Sequence, residues 1–231
     1  MASTGSQAST VSAKRVRFRA SLRLIRISGR SRYSSVPAAW GTIFFSSCNL
    51  KCVFCRNSDI SHGGVGREVE NAELAEIMLR LEYAGAENIN LVSPTHFAPS
   101  VADAIETARG RGLHVPVVYN TGVSDYPDIN RAAVREMYRQ VGSLTLDASA
   151  VARGGIMIRH LVMPGGVAES KRIVDFVVGE LGADTYLNIM GQYRPAYRAR
   201  EFSEINRRPA RSEIANVISY ARSLGMKRIE S

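Results

Sequence analysis

The sequence predicts an α/β chain with parallel strands, arranged as an open partial barrel or a doubly wound sheet. Three observations lead there. Short β-branched runs alternate with amphipathic stretches of helical period. The spacing between runs suits right-handed crossovers. At 231 residues the chain is short for a closed eight-strand barrel.

The elements follow in order. Gly41 to Ser47 is β-branched and aromatic and reads as a buried strand. Residues 71–84 carry Leu74, Ile77, Met78 and Leu81 at helical spacing, stopped by Gly85. Asn88 to Val92 reads as a second strand, residues 99–109 as a helix closed by Gly110, and Val115 to Tyr119 as a third strand. A helix over 128–140, an irregular or hairpin insert over Leu144 to Gly155, and a strand over Ile156 to Val162 come next. A helix over 168–181, a strand over Thr185 to Met190 and a helix over 211–224 complete the body. In either architecture, ligands sit at the carboxyl ends of the strands. Those ends are Cys48, Ser93 to His96, Asn120-Thr121, Met163 to Gly166 and Gly191 to Tyr193.

All three cysteines fall within Cys48-Asn-Leu-Lys-Cys52-Val-Phe-Cys55. A secreted disulfide framework uses an even number spread along the chain, so this grouping reads as reduced and ligating. Thiolates are soft ligands that suit zinc or iron–sulfur clusters. Structural zinc needs four closed ligands, for which His62 is the nearest candidate fourth. Three thiolates without a fourth leave one iron of a 4Fe-4S cluster open to a small molecule.

The C-x3-C-x2-C spacing, with Phe54 before its last cysteine and a strand before its first, resembles the radical S-adenosylmethionine superfamily. GTIFFSSCNLKCVFCRN, NINLVSPTHF, VVYNT, IRHLVMPGG and NIMGQYRPAY together resemble the branch similar to pyruvate formate-lyase activating enzyme, over about residues 40–200. The resemblance implies a partial (β/α)6-type barrel over 37–231. Cys48, Cys52 and Cys55 would hold three irons, and S-adenosylmethionine would chelate the fourth. Phe54 would lie against the adenine. Ser93, Thr95 and His96 stand where relatives contact the methionine amino group, and Asn120 and Thr121 where they hold ribose and carboxylate. His160, Gln192, Tyr193 and Arg194 would face the substrate. Arg159 and His160 are adjacent in a strand, so one of them should point inward. The implied activity is an oxidoreductase reaction that cleaves S-adenosylmethionine reductively to a 5′-deoxyadenosyl radical, which abstracts hydrogen. Implied partners are a reductant such as flavodoxin or ferredoxin and a protein substrate carrying a target glycine.

The chain departs from that pattern. Relatives read Ser-Gly-Cys where this chain has Ser46-Ser47-Cys48, and a side chain at 47 is unfavourable if the turn needs positive φ. Between Thr121 and Pro127 relatives carry a further strand and helix, so one β/α unit is missing here. The alternative reading is therefore a degenerate, non-catalytic iron–sulfur or zinc-binding relative.

Charge divides the chain unevenly. Residues 1–33 hold eight basic and no acidic side chains, which leaves 22 basic and 21 acidic residues in the remainder. The near-neutral body argues against a nucleic-acid partner, and no apolar run is long enough for a membrane helix. Residues 1–36 form a basic head in which Arg15, Arg19, Arg23, Arg26 and Arg30 would share one helical face. This is the pattern of a mitochondrial presequence, which implies the matrix; a plain basic tail implies the cytoplasm.

Overall fold

This computed structural model describes residues 20–22, 40–120, 127–148 and 152–231. The chain is α/β, with parallel sheets covered by helices. The first sheet has the order β1-β2-β3-β4, formed by Ala20–Leu22, Trp40–Phe45, Asn88–Val92 and Val117–Asn120. β1 runs antiparallel to β2, and the other pairs are parallel. α1 (Ser58–Ser61) follows the cysteine loop, α2 (Asn71–Tyr83) connects to β3, and α3 (Ala98–Gly110) connects to β4.

α2 forms because its apolar stripe has somewhere to go. Leu74, Ile77, Met78 and Leu81 bury against Ile43, Phe45, Ile89 and Leu91 of the sheet, and Val101, Ala104 and Ala108 of α3 close the same core. Each fully buried leucine or isoleucine there contributes about 1.5–3 kcal/mol. Gly41 is required where β2 meets the end of α2, since a Cβ would come within 3.0 Å of Leu81 Cβ and 3.2 Å of the Asn88 carbonyl. Gly110 does not close α3, contrary to the sequence reading, but is its last residue. Gly112 takes the left-handed turn at φ +99°, and Leu113 N–H caps the Ala108 carbonyl.

α4 (Pro127–Val141) leads to a hairpin of β5 (Thr145–Leu146) and β6 (Ala152–Gly154), as the sequence allowed. A second parallel sheet then forms in the order β7 (Met157–Leu161), β8 (Tyr186–Met190), β9 (Ile229–Glu230). α5 (Val167–Phe176), extended by a π-helical turn over Val177–Leu181, and α6 (Arg211–Ser223) cover one face. Their core is Val162, Val174, Val177, Leu187, Ile189, Val217, Ala221 and Met226.

Beside the β5–β6 hairpin, the described strands thus make a four-stranded sheet, parallel except for β1, and a three-stranded parallel sheet, each with its own core, where the sequence suggested one continuous sheet or partial barrel. The break lies between β4 and β7. Val118 and Tyr119 of β4 are 45% and 36% exposed, and Met157 of β7 is 40% exposed. α4, which spans this break, has no fully buried side chain among its described residues. It is held by the Arg135–Glu180 ion pair and by Arg131 and Arg135 over the Phe176 ring.

In the basic head, Ala20–Leu22 lies as a strand paired with Ile43 to Phe45, not on a helix. The rest of the head lies outside the described residues. Among the described residues, no helix is long and apolar enough to cross a membrane.

Candidate functional site

The cysteine loop leaves the carboxyl end of β2. Ser47 turns it at φ +59° and Lys51 at φ +50°, both in the region that favours glycine. Ser47 therefore bears the cost expected of a side chain at that position. Ser47 N–H donates to the Ile60 carbonyl, Ser46 Oγ to the Val65 carbonyl, and Cys55 N–H to the Cys52 carbonyl. These bonds fold the loop back on α1. Cys48 is buried at 7% exposure, Cys52 and Cys55 are half-buried, and none is in a disulfide.

The end of β3 packs directly beside this loop. His96 Nε2 lies 2.8 Å from the Ser46 carbonyl oxygen. A carbonyl only accepts, so Nε2 carries the proton. His96 thereby ties the two strand ends together, with its ring against Phe97. Ser93 is left-handed at φ +57° and donates its N–H to the Asn120 carbonyl, which joins the ends of β3 and β4. Thr95 is exposed in a short 3-10 turn, and Asn120 is half-buried at the end of β4. Thr121 lies outside the described residues.

A strap running from Gly191 to Asn206 crosses from the second sheet to the cysteine loop. The Phe54 and Tyr193 rings meet edge to face at 5.8 Å. Arg198 N–H donates to the Val53 carbonyl at 3.0 Å, and the Tyr197 ring lies 4.6 Å from that of His62. Tyr193 is only 2% exposed, its hydroxyl donates to the Ile205 carbonyl, and burial pushes its pKa up. It therefore packs and positions Phe54 rather than facing a substrate. Gln192 and Arg194 are exposed on the strap; Gln192 Nε2 approaches Met190 Sδ at 3.2 Å. Arg194 has no carboxylate partner among the described residues.

His160 turns away from the open face. It pairs in register with Ile189, whose side chain lies in the helix-covered core. Its Nε2 is 2.9 Å from Ser170 Oγ of α5, and that hydroxyl donates to the Gly166 carbonyl. His160 Nε2 therefore donates to Ser170, and burial lowers its pKa, which favours the neutral ring. His160, expected to face the substrate, thus lies on the helix-covered side of the sheet. Arg159, next to it, takes the open face with Nη2 3.3 Å from Met190 Sδ. A sheet covered on one face only puts alternate residues on opposite sides, but the sequence does not say which set is covered.

Glu213 at the start of α6 is a further site residue that the sequence did not reveal. Its carboxylate accepts from Gly165 N–H and Ala210 N–H and pairs with both Nη atoms of Arg207. It fixes the glycine turn after β7 to the far end of the strap. Motif reading named Gln192, Tyr193 and Arg194 but not the contacts of their strap with the cysteine loop, and it missed Glu213, because these act through tertiary contacts without a period.

Three soft thiols on one loop at a strand end fit a 4Fe-4S cluster. A cubane takes its ligands at separate iron corners, so the sulfurs need not converge on one point. Zinc does need convergence. Among the described residues, no group of three or more His, Cys, Asp or Glu side chains gathers as a single ion would require. His62, the candidate fourth zinc ligand, lies against Tyr197.

No family model matches the chain, and no solved structure matches it. The chain is 30% identical over 212 residues to an uncharacterized protein of Methanocaldococcus jannaschii. The likeness takes in 78% of this chain and 61% of that protein, so the chain spans about three fifths of its relative's length. Seventy-eight per cent of 231 residues is about 180, so some thirty of the 212 matched positions have no counterpart here.

Proposed function

We propose that this chain is a radical S-adenosylmethionine enzyme similar to pyruvate formate-lyase activating enzyme. In this reading its two parallel sheets are the two parts of a partial barrel that lacks one β/α unit. The observation that carries the reading is the C-x3-C-x2-C loop at the carboxyl end of the first parallel strand of the body, with its three cysteines outside any disulfide. Cys48, Cys52 and Cys55 would ligate three irons of a 4Fe-4S cluster. Once bound, the cluster and S-adenosylmethionine together supply one-electron cleavage to a 5′-deoxyadenosyl radical, with the electron coming from a flavodoxin or ferredoxin.

The chain's own residues have simpler tasks. His96 and the Ser93–Asn120 bond align the strand ends around the loop. Tyr193 holds Phe54 in place, and the strap shields that side of the loop from water. Ser93, Thr95 and Asn120 offer polar groups at the rim to the cofactor. Arg159, Gln192 and Arg194 offer donors to an anionic group of the substrate. A glycine-bearing protein is the substrate class that the resemblance suggests.

The test is anaerobic incubation of the iron-loaded protein with dithionite and S-adenosylmethionine. Methionine and 5′-deoxyadenosine should form together, and Cys52→Ala should abolish both. A second reading, a degenerate cluster-binding relative, is favoured by the broken sheet and by the left-handed Ser47. Under that reading iron binds, but no cleavage product forms.

A further inference from the structure

The cysteine loop and the strap share a surface with several unpaired cations. Arg198 N–H donates to the Val53 carbonyl and the Tyr193 ring meets that of Phe54, so the strap runs against residues 53 and 54. On the loop, Lys51 and Arg56 each lie two residues from one of those contacts. On the strap, Arg194 lies one residue from Tyr193 and Arg200 two from Arg198. Two residues reach at most about 7 Å, so four cationic positions gather around one contact. All four are exposed, and none has an ion pair among the described residues. Residues 48–62 and 191–213 hold 8 of the 22 basic and 4 of the 21 acidic side chains that follow the basic head. The rest of the body is therefore net negative. Glu201 and Glu213 pair with Arg198 and Arg207, which leaves Asp59 and Glu204 as the unpaired carboxylates here among the described residues. Outside the described residues the sequence has one carboxylate side chain, Asp125, against eight cations, so it cannot neutralise this patch.

Exposed apolar side chains lie among these cations. The Tyr197 ring rests on His62, Val65 follows three residues after His62, and Phe202 two after Arg200. Tyr197 is left-handed at φ +51°, a conformation that costs a residue with a Cβ about 1–2 kcal/mol. The bond from Arg198 N–H to the loop holds that turn, and the tyrosine ring stays exposed. Arginine and tyrosine around a small apolar centre have the composition of a protein contact surface. Its charge selects an acidic partner. The loop also has a need that such a partner can meet. All three cysteines lie in it, so the chain offers no thiolates for a second cluster, and an electron must come from outside. Cys52 and Cys55 are half-buried and flank Val53 and Phe54, the residues that the strap touches.

We propose that Lys51, Arg56, Arg194 and Arg200, around Tyr197 and Phe202, form the docking surface for an acidic protein that carries one electron. Encounters of this kind are small, brief and steered by charge. In the encounter one electron leaves the carrier for the group held by Cys48, Cys52 and Cys55. The carrier is oxidised by one electron, that group is reduced by one, and no bond or proton moves. The carrier role rests on the function proposed above; the docking of an acidic protein does not.

The experiment uses the full chain and an acidic flavodoxin as the probe. Calorimetry first reads the binding of oxidised flavodoxin to iron-free protein. Binding should weaken about tenfold between low salt and about 0.3 M salt. The double variant Arg56→Glu, Arg200→Glu should weaken it about tenfold at low salt. The same reversal at Arg172 and Arg222, exposed on α5 and α6, should change it less than about twofold. Matching thermal unfolding midpoints in the two double variants keep a folding defect apart from lost docking. Stopped-flow absorbance then follows the flavin semiquinone formed when reduced flavodoxin meets the iron-loaded protein. Its rate should fall about tenfold in Arg56→Glu, Arg200→Glu, while the amount of cluster reduced by dithionite stays the same. Absence of binding, equal losses in the two double variants, or binding without semiquinone formation by the iron-loaded protein would overturn the proposal. A chain that takes up no cluster fails the function proposed above, yet the iron-free arm still reads the surface.

Discussion

Ser47 shows how much a single position can reveal. A residue with a Cβ in the left-handed region costs about 1–2 kcal/mol, and glycine removes most of that cost while adding some entropy to the unfolded chain. Ser47→Gly should therefore stabilise the protein by about 0.5–1 kcal/mol in urea unfolding. An unchanged or lowered midpoint would mean the loop is not held in this turn. Tyr193 separates packing from hydrogen bonding. Tyr193→Phe removes one bond, to Ile205, and should cost about 1 kcal/mol. Tyr193→Ala also removes the support of Phe54 and should cost about 3–5 kcal/mol. Equal losses in the two variants would contradict the packing role. The turn at Ser47 was legible because the Ser-Ser-Cys departure stands beside a motif of fixed spacing. The inward face of Arg159 was not, because period-two alternation leaves two equivalent choices until the helices are placed.

At the scale of elements, Glu213 joins a turn, a helix start and a strap. Arg207 first, and then the Ala210 and Gly165 N–H groups, hold its carboxyl near a pKa of about 2, below the ordinary 4.5. A lowered folded-state pKa gives stability that is complete above the unfolded value and lost as pH falls through the folded one. The native protein should therefore lose stability from about pH 4.5 toward 2 more steeply than Glu213→Gln, as read from denaturation midpoints across that window. Parallel curves would show that this carboxylate is not engaged in solution. Most helices and parallel strands were readable from their periods, α2 and β3 to within a residue. β9 was not, because two residues carry no pattern. β1 was not, because a basic run reads as a helix face until a strand edge pairs with it.

At the scale of the whole molecule, two cores are joined by a strap and by α4. Leu91→Ala in the first core and Leu187→Ala in the second should each cost about 2–5 kcal/mol. Hydrogen exchange should accelerate mainly in the half that carries the substitution, and uniform acceleration through both halves would contradict separate cores. The alternation of strands and helices made the fold class legible. The division into two sheets was only hinted at by the short link after Thr121, because strand order is a property of pairing partners and not of local sequence. The candidate site was legible where it rests on the cysteine spacing, and illegible where it depends on residues brought from the other sheet. The central claim, that the cysteine loop carries a cluster with an open iron, meets its most direct test in electron paramagnetic resonance. The protein would be reconstituted anaerobically with iron and sulfide, reduced, and measured with and without S-adenosylmethionine. The account predicts a 4Fe-4S signal that changes when the cofactor is added and is absent in Cys48→Ala. A signal indifferent to the cofactor, or no cluster at all, would contradict it.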